Sequence, residues 1–220
     1  MLLKLISTML PWRFKRWYLN KIFKYEIHPT AKIGLAWVFP SKLIMAANTK
    51  IDHFTVAVHL DKIELKQYAS IGRSNWITGF TTKSGSPHFK HQANRSATLV
   101  MGESSSITKN HHIDCTNTIS IGRFSTVAGY QSQLLTHSID VFENRQHSAP
   151  ISIGDYTFVG TNVVILGGAS LPAFSVLGAK SLLNKIFTEQ YTLYGGVPAK
   201  PIAAVDKGAK YFHRKEGFVI

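Results

Sequence analysis

The sequence predicts an all-β chain wound as a parallel β-helix of hexapeptide repeats, with a short N-terminal helix before it and a C-terminal helix or arm after it. Three observations carry this reading. An aliphatic residue recurs every six positions, small or β-branched residues recur four positions later, and the frame shifts where the chain turns polar. A helix stripe would show partners at three and four, and a plain strand would alternate without a turn every sixth residue. A period of six is instead one flat side of a coil, three sides completing a turn.

Residues 1–26 come first in the chain. MLLKLISTMLP is interrupted by Lys4 and ended by Pro11, with no small-residue cleavage site after it, so it does not read as a signal peptide. Lys4, Arg13, Lys15, Arg16, Lys21 and Lys24 occur without an acid until Glu26, interleaved with Trp12, Phe14, Trp17, Tyr18 and Phe23. Two readings stand: a basic amphipathic helix on an anionic membrane surface, or a helix packed on the neighbouring coil with its lysines solvated.

Residues 27–188 carry the repeat. Its clearest run is Ile153, Val159, Ile165, Leu171, Leu177 and Leu183. Six consecutive aliphatic hits would arise by chance roughly once in several thousand starting points, so the column is signal. Four positions after each stand Thr157, Val163, Ala169, Ser175, Ser181 and Phe187, five of them small or β-branched. Upstream, Ile71, Ile77, Met101, Ile107, Ile113 and Ile119 share one frame, Ile121 and Val127 begin another, and Ile27, Ile33, Phe39, Met45, Ile51, Ala57 and Ile63 form a rougher column. Two polar stretches interrupt the coil and read as loops: residues 78–98, with Gly79, Gly85 and Pro87, and residues 138–150, ending in Pro150. Residues 189–220 form the closing arm.

Composition narrows the function. The 220 residues hold 25 Lys and Arg against 12 Asp and Glu, a net charge of +13 that favours anionic partners. The charge is spread over both ends and one loop and no nucleic-acid-binding module is present, which argues against nucleic acid. A single cysteine, Cys115, excludes an internal disulfide framework and suits a reducing compartment. No stretch approaches the roughly 18 apolar residues of a membrane span. The expectation is a cytoplasmic protein, with the basic N-terminus as a means of peripheral attachment at the inner membrane face.

Three stretches, in this order and spacing, are more specific than any single repeat: LLTHSID at 134–140, IGDYTFVGTNVVILGGASLP at 153–172, and YGGVPAKPI at 194–202. On them the chain resembles the hexapeptide-repeat acyltransferases, above all the maltose, galactoside and polysaccharide O-acetyltransferases, over about residues 100–203 and more loosely over 27–78. The resemblance implies a left-handed β-helix, a homotrimer with sites between subunits, and acetyl-CoA as acyl donor. It also implies direct transfer to a sugar or cell-surface glycan, or its precursor, with a backbone N–H stabilising the oxyanion.

His137 is the candidate base. It lies four after Gln133, where the repeat wants a small residue, and the chain leaves the coil there for a polar loop. In the family the matching histidine takes the acceptor proton, a task suited to an imidazole titrating near neutrality. Asp114, one to two coils earlier, either orients His137 or contacts the acceptor, as do Asn117 and His112 in the substrate-binding role. Resemblance places Thr161, Ala179, Asn184, Lys185 and Lys200 on CoA, while Ala203 departs from relatives that carry a second basic residue there. No metal site is expected, because His111 and His112 have no third ligand at suitable spacing. No nucleophile motif surrounds Cys115, so an acyl-enzyme is not indicated.

Two alternatives stay open. The same base and coil could N-acetylate an amino sugar nucleotide, and a non-catalytic β-helix assembly protein would leave His137 and YGGVPAKP unexplained. A β-helical carbonic anhydrase is set aside for want of an H-x4-H pair.

Overall fold

The computed structural model describes residues 2–219. From Glu26 onward the chain winds as a left-handed coil whose three sides stack into sheets of seven, nine and seven strands, parallel throughout except for the last strand of the nine. Most strands are two to four residues long, because each hexapeptide spends the rest of its length turning a corner.

Stacking register shows how the period is kept. On the first side Ile27 lies beneath Met45, and Ile153 beneath Leu171, each pair eighteen residues apart, or three hexapeptides. Met45 to Leu65 and Met101 to Ile121 are each twenty. In these coils the two added residues give the first side a second inward position, filled by Ile63 and Ile119; Leu43, Leu99 and Ile151 hold the same position on other rungs, all five at 0% exposure. The frame shift from Ile119 to Ile121 is this doubling within one strand and not an excursion. In the rougher early column the inward residue is Val38, paired with Ala57, so Phe39 stands one position beyond it.

The larger steps, Leu65 to Met101 and Ile121 to Ile153, contain the two interruptions. The first is a loop with one 3-10 turn, Pro87–Phe89. Asp61 holds both its ends, its carboxylate accepting from the Thr82 and Ala97 amides, each at 3.0 Å, and from the Thr81 hydroxyl. The second, expected as a loop, is an antiparallel hairpin of His137–Asp140 with Arg145–Ser148.

Both ends differ in detail from expectation. Pro11 divides the N-terminal segment into two helices, α1 (Leu2–Met9) and α2 (Trp12–Ile22). Lys15, expected in solvent, is buried and donates to the Gly34 carbonyl at 2.9 Å, beside Leu19 on the face that covers the first coil. At the other end the chain forms an antiparallel hairpin, Thr192–Gly196 with Ala199–Ala204, that extends the second side. One 3-10 turn, Lys210–His213, follows in place of a helix.

His111 belongs to the corner that leads into the third side. Its ring is fully buried, Nδ1 accepts the Ser132 amide at 3.1 Å, and Nε2 therefore donates to the Thr108 hydroxyl at 3.0 Å. Burial lowers its pKa from 6.5 to about 4. The unfolded chain binds this proton between those pH values and the native one does not, so the contribution is complete above pH 6.5 and lost as pH falls toward 4. The loss amounts to about 3 kcal/mol. In His111→Asn the side-chain carbonyl can keep the Ser132 bond but cannot titrate. Urea unfolding should therefore show a clear fall in stability between pH 6.5 and 4 for the wild-type chain and a flatter profile for the variant; equal slopes would contradict this account.

Candidate active site

The third side carries the site. Its strands His112–Asp114 and Gln133–Leu135 pair in parallel, with Ile113 and Leu134 inward. Leu134, not Gln133, is the inner residue, because one extra residue enters between Val127 and Leu134. Gly129, at φ +72°, absorbs part of that insertion. His137 is thus not at the small-residue corner of a repeat. It is the first residue of the hairpin that leaves the coil between the third and first sides.

At this corner the structure brings His137 and Asp114 together. Nδ1 of His137 lies 2.5 Å from Oδ2 of Asp114, and the His137 amide donates to the same oxygen at 3.2 Å. The other carboxylate oxygen accepts from the Thr116 amide at 3.1 Å and the Thr116 hydroxyl at 2.7 Å. The Thr136 hydroxyl donates to the Asp114 carbonyl at 2.7 Å, tying the two strands at the point where the hairpin departs. Burial pushes the Asp114 carboxyl up, but the bonds from His137 and Thr116 outweigh it and hold the group below its ordinary value. The same bond raises the His137 imidazole above 6.5 against partial burial, assisted by the carboxylate charge. A proton on Nδ1 facing Asp114 leaves Nε2 as the lone-pair nitrogen, and Nε2 has no hydrogen-bond partner among the described residues. The imidazole is about half exposed, so this nitrogen is open to a ligand.

The first loop walls the site. The Phe89 ring meets His137 edge to face, with centroids 6.3 Å apart, and the Arg95 guanidinium lies 4.5 Å from the Phe89 centroid. Arg95 also donates to the Thr116 carbonyl at 2.7 Å and to the Phe80 carbonyl. Gln92 pins the loop to the hairpin, accepting from the Ser148 amide at 3.0 Å and donating to its carbonyl at 2.9 Å. A cavity of about 240 Å³ opens within the loop, bounded by Phe89, Lys90, Gln92 and Arg95. A cavity of about 680 Å³, between Ser104–Ser106 and the tail residues Lys215–Val219, includes neither His137 nor Asp114.

The other candidates separate. Asn117 joins the frame of the site, its side chain donating to the Ser148 hydroxyl at 3.1 Å and its amide to the Thr136 hydroxyl at 2.9 Å. His112 does not join it: its strand position is opposite Gln133, and it lines a separate cavity with Ser74, Asn110 and Asn162. Asn184 and Lys185, both exposed, follow the top strand of the third side, Leu182–Leu183. They lie on the corner of His137 two coils further along, about 10 Å by strand spacing. Thr161 and Ala179 lie on the corner between the second and third sides, where Thr161 exchanges hydrogen bonds with the Tyr130 backbone at 3.1 Å. Lys200 is exposed on the C-terminal hairpin opposite Gly195. Within one chain the five cofactor candidates therefore do not converge on His137.

Sequence reasoning placed Arg95, with His88, Lys90 and His91, in the loop expected to shape acceptor choice, but missed Gln92 and Ser148, which tie that loop to the hairpin. Cys115 is fully buried beside Asp114, and burial pushes its thiol well up, so it offers no nucleophile.

No family model matches the chain, and no curated protein does. Solved structures do. The hexapeptide-repeat-containing acetyltransferase VCA0836 from Vibrio cholerae is 18% identical, covers 93% of this chain and 88% of its own, and superposes with a TM-score of 0.50. Its complex with acetyl coenzyme A, from the O1 biovar eltor, gives 0.51 at 18% identity, with 93% and 84% covered. A variant of AntD, an N-acyltransferase from Bacillus cereus bound to dTDP-4-amino-4,6-dideoxyglucose and coenzyme A, gives 0.51 at 13% identity, with 90% and 93% covered. The fold is therefore that of a hexapeptide-repeat β-helix. More particularly, it is the form that occurs in these acetyl- and acyltransferases.

If Asp114 sets the imidazole, Asp114→Asn removes the charge that favours the imidazolium. Nuclear magnetic resonance titration should then place the His137 ring transition at lower pH than in the wild-type chain. An unshifted transition would show that the short contact carries no electrostatic weight.

Proposed function

We propose that the chain is an acetyl-CoA-dependent O-acetyltransferase acting on a hydroxyl of a sugar or a cell-surface glycan, or its precursor. The observation that carries this reading is the 2.5 Å His137–Asp114 pair, with Nε2 turned outward at the corner shared with Asn184 and Lys185. The fold agrees, since VCA0836 binds acetyl coenzyme A on the same architecture.

The chemistry follows from the tautomer. Nε2 accepts the proton of the acceptor hydroxyl as its oxygen attacks the thioester carbonyl, and Asp114 stabilises the imidazolium that forms. The tetrahedral intermediate collapses by breaking the carbon–sulfur bond. The imidazolium then returns its proton to the leaving thiolate, and the products are the acetyl ester and CoA. Because the base must be neutral, kcat/KM should rise with pH through the raised imidazole pKa, above 6.5.

A homotrimer is part of the proposal. Thr161 and Ala179 stand on a different corner from His137, so these cofactor contacts reach the base only from a neighbouring copy. The hairpin beside His137 presents Ile139, Val141 and Phe142 at its tip, the last 95% exposed, as apolar surface for such a neighbour. AntD supports the second reading, N-acylation of an amino sugar nucleotide, which needs the same base and differs in acceptor.

His137→Ala should lower kcat by roughly 10² to 10⁴ while leaving CoA affinity nearly unchanged. Normal turnover by a folded variant would overturn the assignment. Light scattering at micromolar concentration should give a trimer, and a monodisperse monomer would contradict the shared site. An acceptor panel of matched sugars and amino sugars separates the two readings, ester formation supporting the first and amide formation the second.

A further inference from the structure

The N-terminal helices carry two apolar faces where one would serve the fold. In α2 the residues at 12, 15, 19 and 23 align at helical spacing: Leu19 is buried, Trp12 and Phe23 pack on the core, and Lys15 bonds to Gly34. Phe14, Trp17 and Lys21, at spacings of three and four, lie on the opposite face at about 100° per residue. Phe14 is 66% and Trp17 63% exposed.

In α1 the polarity is reversed outright. Ser7 is 0% exposed, its hydroxyl donating to the Lys4 carbonyl at 2.7 Å, and the Lys4 ammonium sits 5.1 Å from the Phe39 centroid. Leu5 and Ile6, each about one turn before Met9, lie with it on the other face and point to solvent, Met9 at 85% exposure. A helix that turns its serine inward and its leucine outward is not made to face water. Around this apolar surface stand Arg13, Lys21 and Lys24, all exposed, and no acid occurs before Glu26. None of the three makes an ion pair among the described residues.

We infer that the outer face of α1 and α2 is a docking surface for an anionic phospholipid bilayer, entered by Phe14, Trp17, Leu5, Ile6 and Met9 to interfacial depth. Charge complementarity selects this occupant: a cationic rim around aromatic and aliphatic side chains matches acidic headgroups above an acyl boundary. No helix among the described residues is long and apolar enough to cross a membrane, so the contact is with the surface. Packing on the coil and contact with lipid are served by opposite faces of α2, and the two roles coexist. The inference is independent of acyl transfer, because neither helix contributes to the site at His137.

The test is sedimentation of the full chain with vesicles of phosphatidylcholine containing roughly one third phosphatidylglycerol, against vesicles of phosphatidylcholine alone. The chain should bind the anionic vesicles at low salt, bind the neutral ones at least tenfold more weakly, and release at roughly half-molar salt. Phe14→Glu with Trp17→Glu, and separately Met9→Glu, should each weaken binding about tenfold or more without lowering the melting temperature, since none lies on the packing face. Absence of binding at low salt, or equal binding by the Phe14/Trp17 variant, would overturn the inference. So would vesicle-free self-association that the same variant abolishes, which would make a second copy the occupant.

Discussion

Each coil must turn between its sides within a few residues, and from Met45 onward the corner between the first and second sides does so through a residue in the left-handed region three positions after the inward aliphatic. Asn48, Tyr68, Ser104, Phe124, Tyr156 and Phe174 hold that place after Met45, Leu65, Met101, Ile121, Ile153 and Leu171, with φ between 53° and 61°. Left-handed backbone costs a non-glycine residue about 1 kcal/mol or more, which the stack offsets. The amide of each such residue bonds to the coil beneath, as Tyr156 does to Arg123 and Phe174 to Asp155, both at 2.8 Å. Where aromatics occupy the corner they stack with interplanar angles of 9°, Phe124 on Tyr156 on Phe174 on Tyr191. The C-terminal turn then covers this ladder with Phe212.

The site depends on that regularity by departing from it. An extra residue near Gly129 resets the frame of the third side, and the chain leaves the coil three residues after Leu134 instead of continuing to the next strand. The coil above closes tightly over the gap: a Cβ at Gly167 would lie 2.6 Å from the Thr136 carbonyl oxygen. Thr136 is thereby fixed from above while its hydroxyl holds the Asp114 carbonyl, and His137 emerges from a rigid base. Asp114 is supplied by the coil below, so the pair spans two rungs and forms only when both are stacked.

Much of the coil was legible in the sequence because six-residue periodicity is a direct imprint of three-sided winding. The run from Ile153 to Leu183 needed no correction in register. Early columns were blurred where strands of the first side hold two inward residues, since Ile63 and Leu65 both satisfy an aliphatic pattern and only pairing shows that one strand holds both. His137 and Asp114 were legible through resemblance and polarity. The partners that fix them were not: Gln92 meets Ser148 across fifty-six residues, and no local pattern records such a contact. His112 shares the outward side of its strand with Asp114, because alternation returns every second residue to one face. Asp114, two residues on, turns toward the corner through the Thr116 and His137 bonds, and His112 does not.

A folded coil with this corner should move an acetyl group from thioester to hydroxyl without carrying it on the chain. The direct measurement is thiol release from acetyl-CoA across a panel of saccharide acceptors, combined with the intact mass of the protein during turnover. Acceptor-dependent thiol release, ester on the saccharide and an unmodified chain are the predicted result. Thiol release that proceeds through an acetylated chain, or no acceptor-dependent release from a folded, CoA-binding protein, would contradict the account.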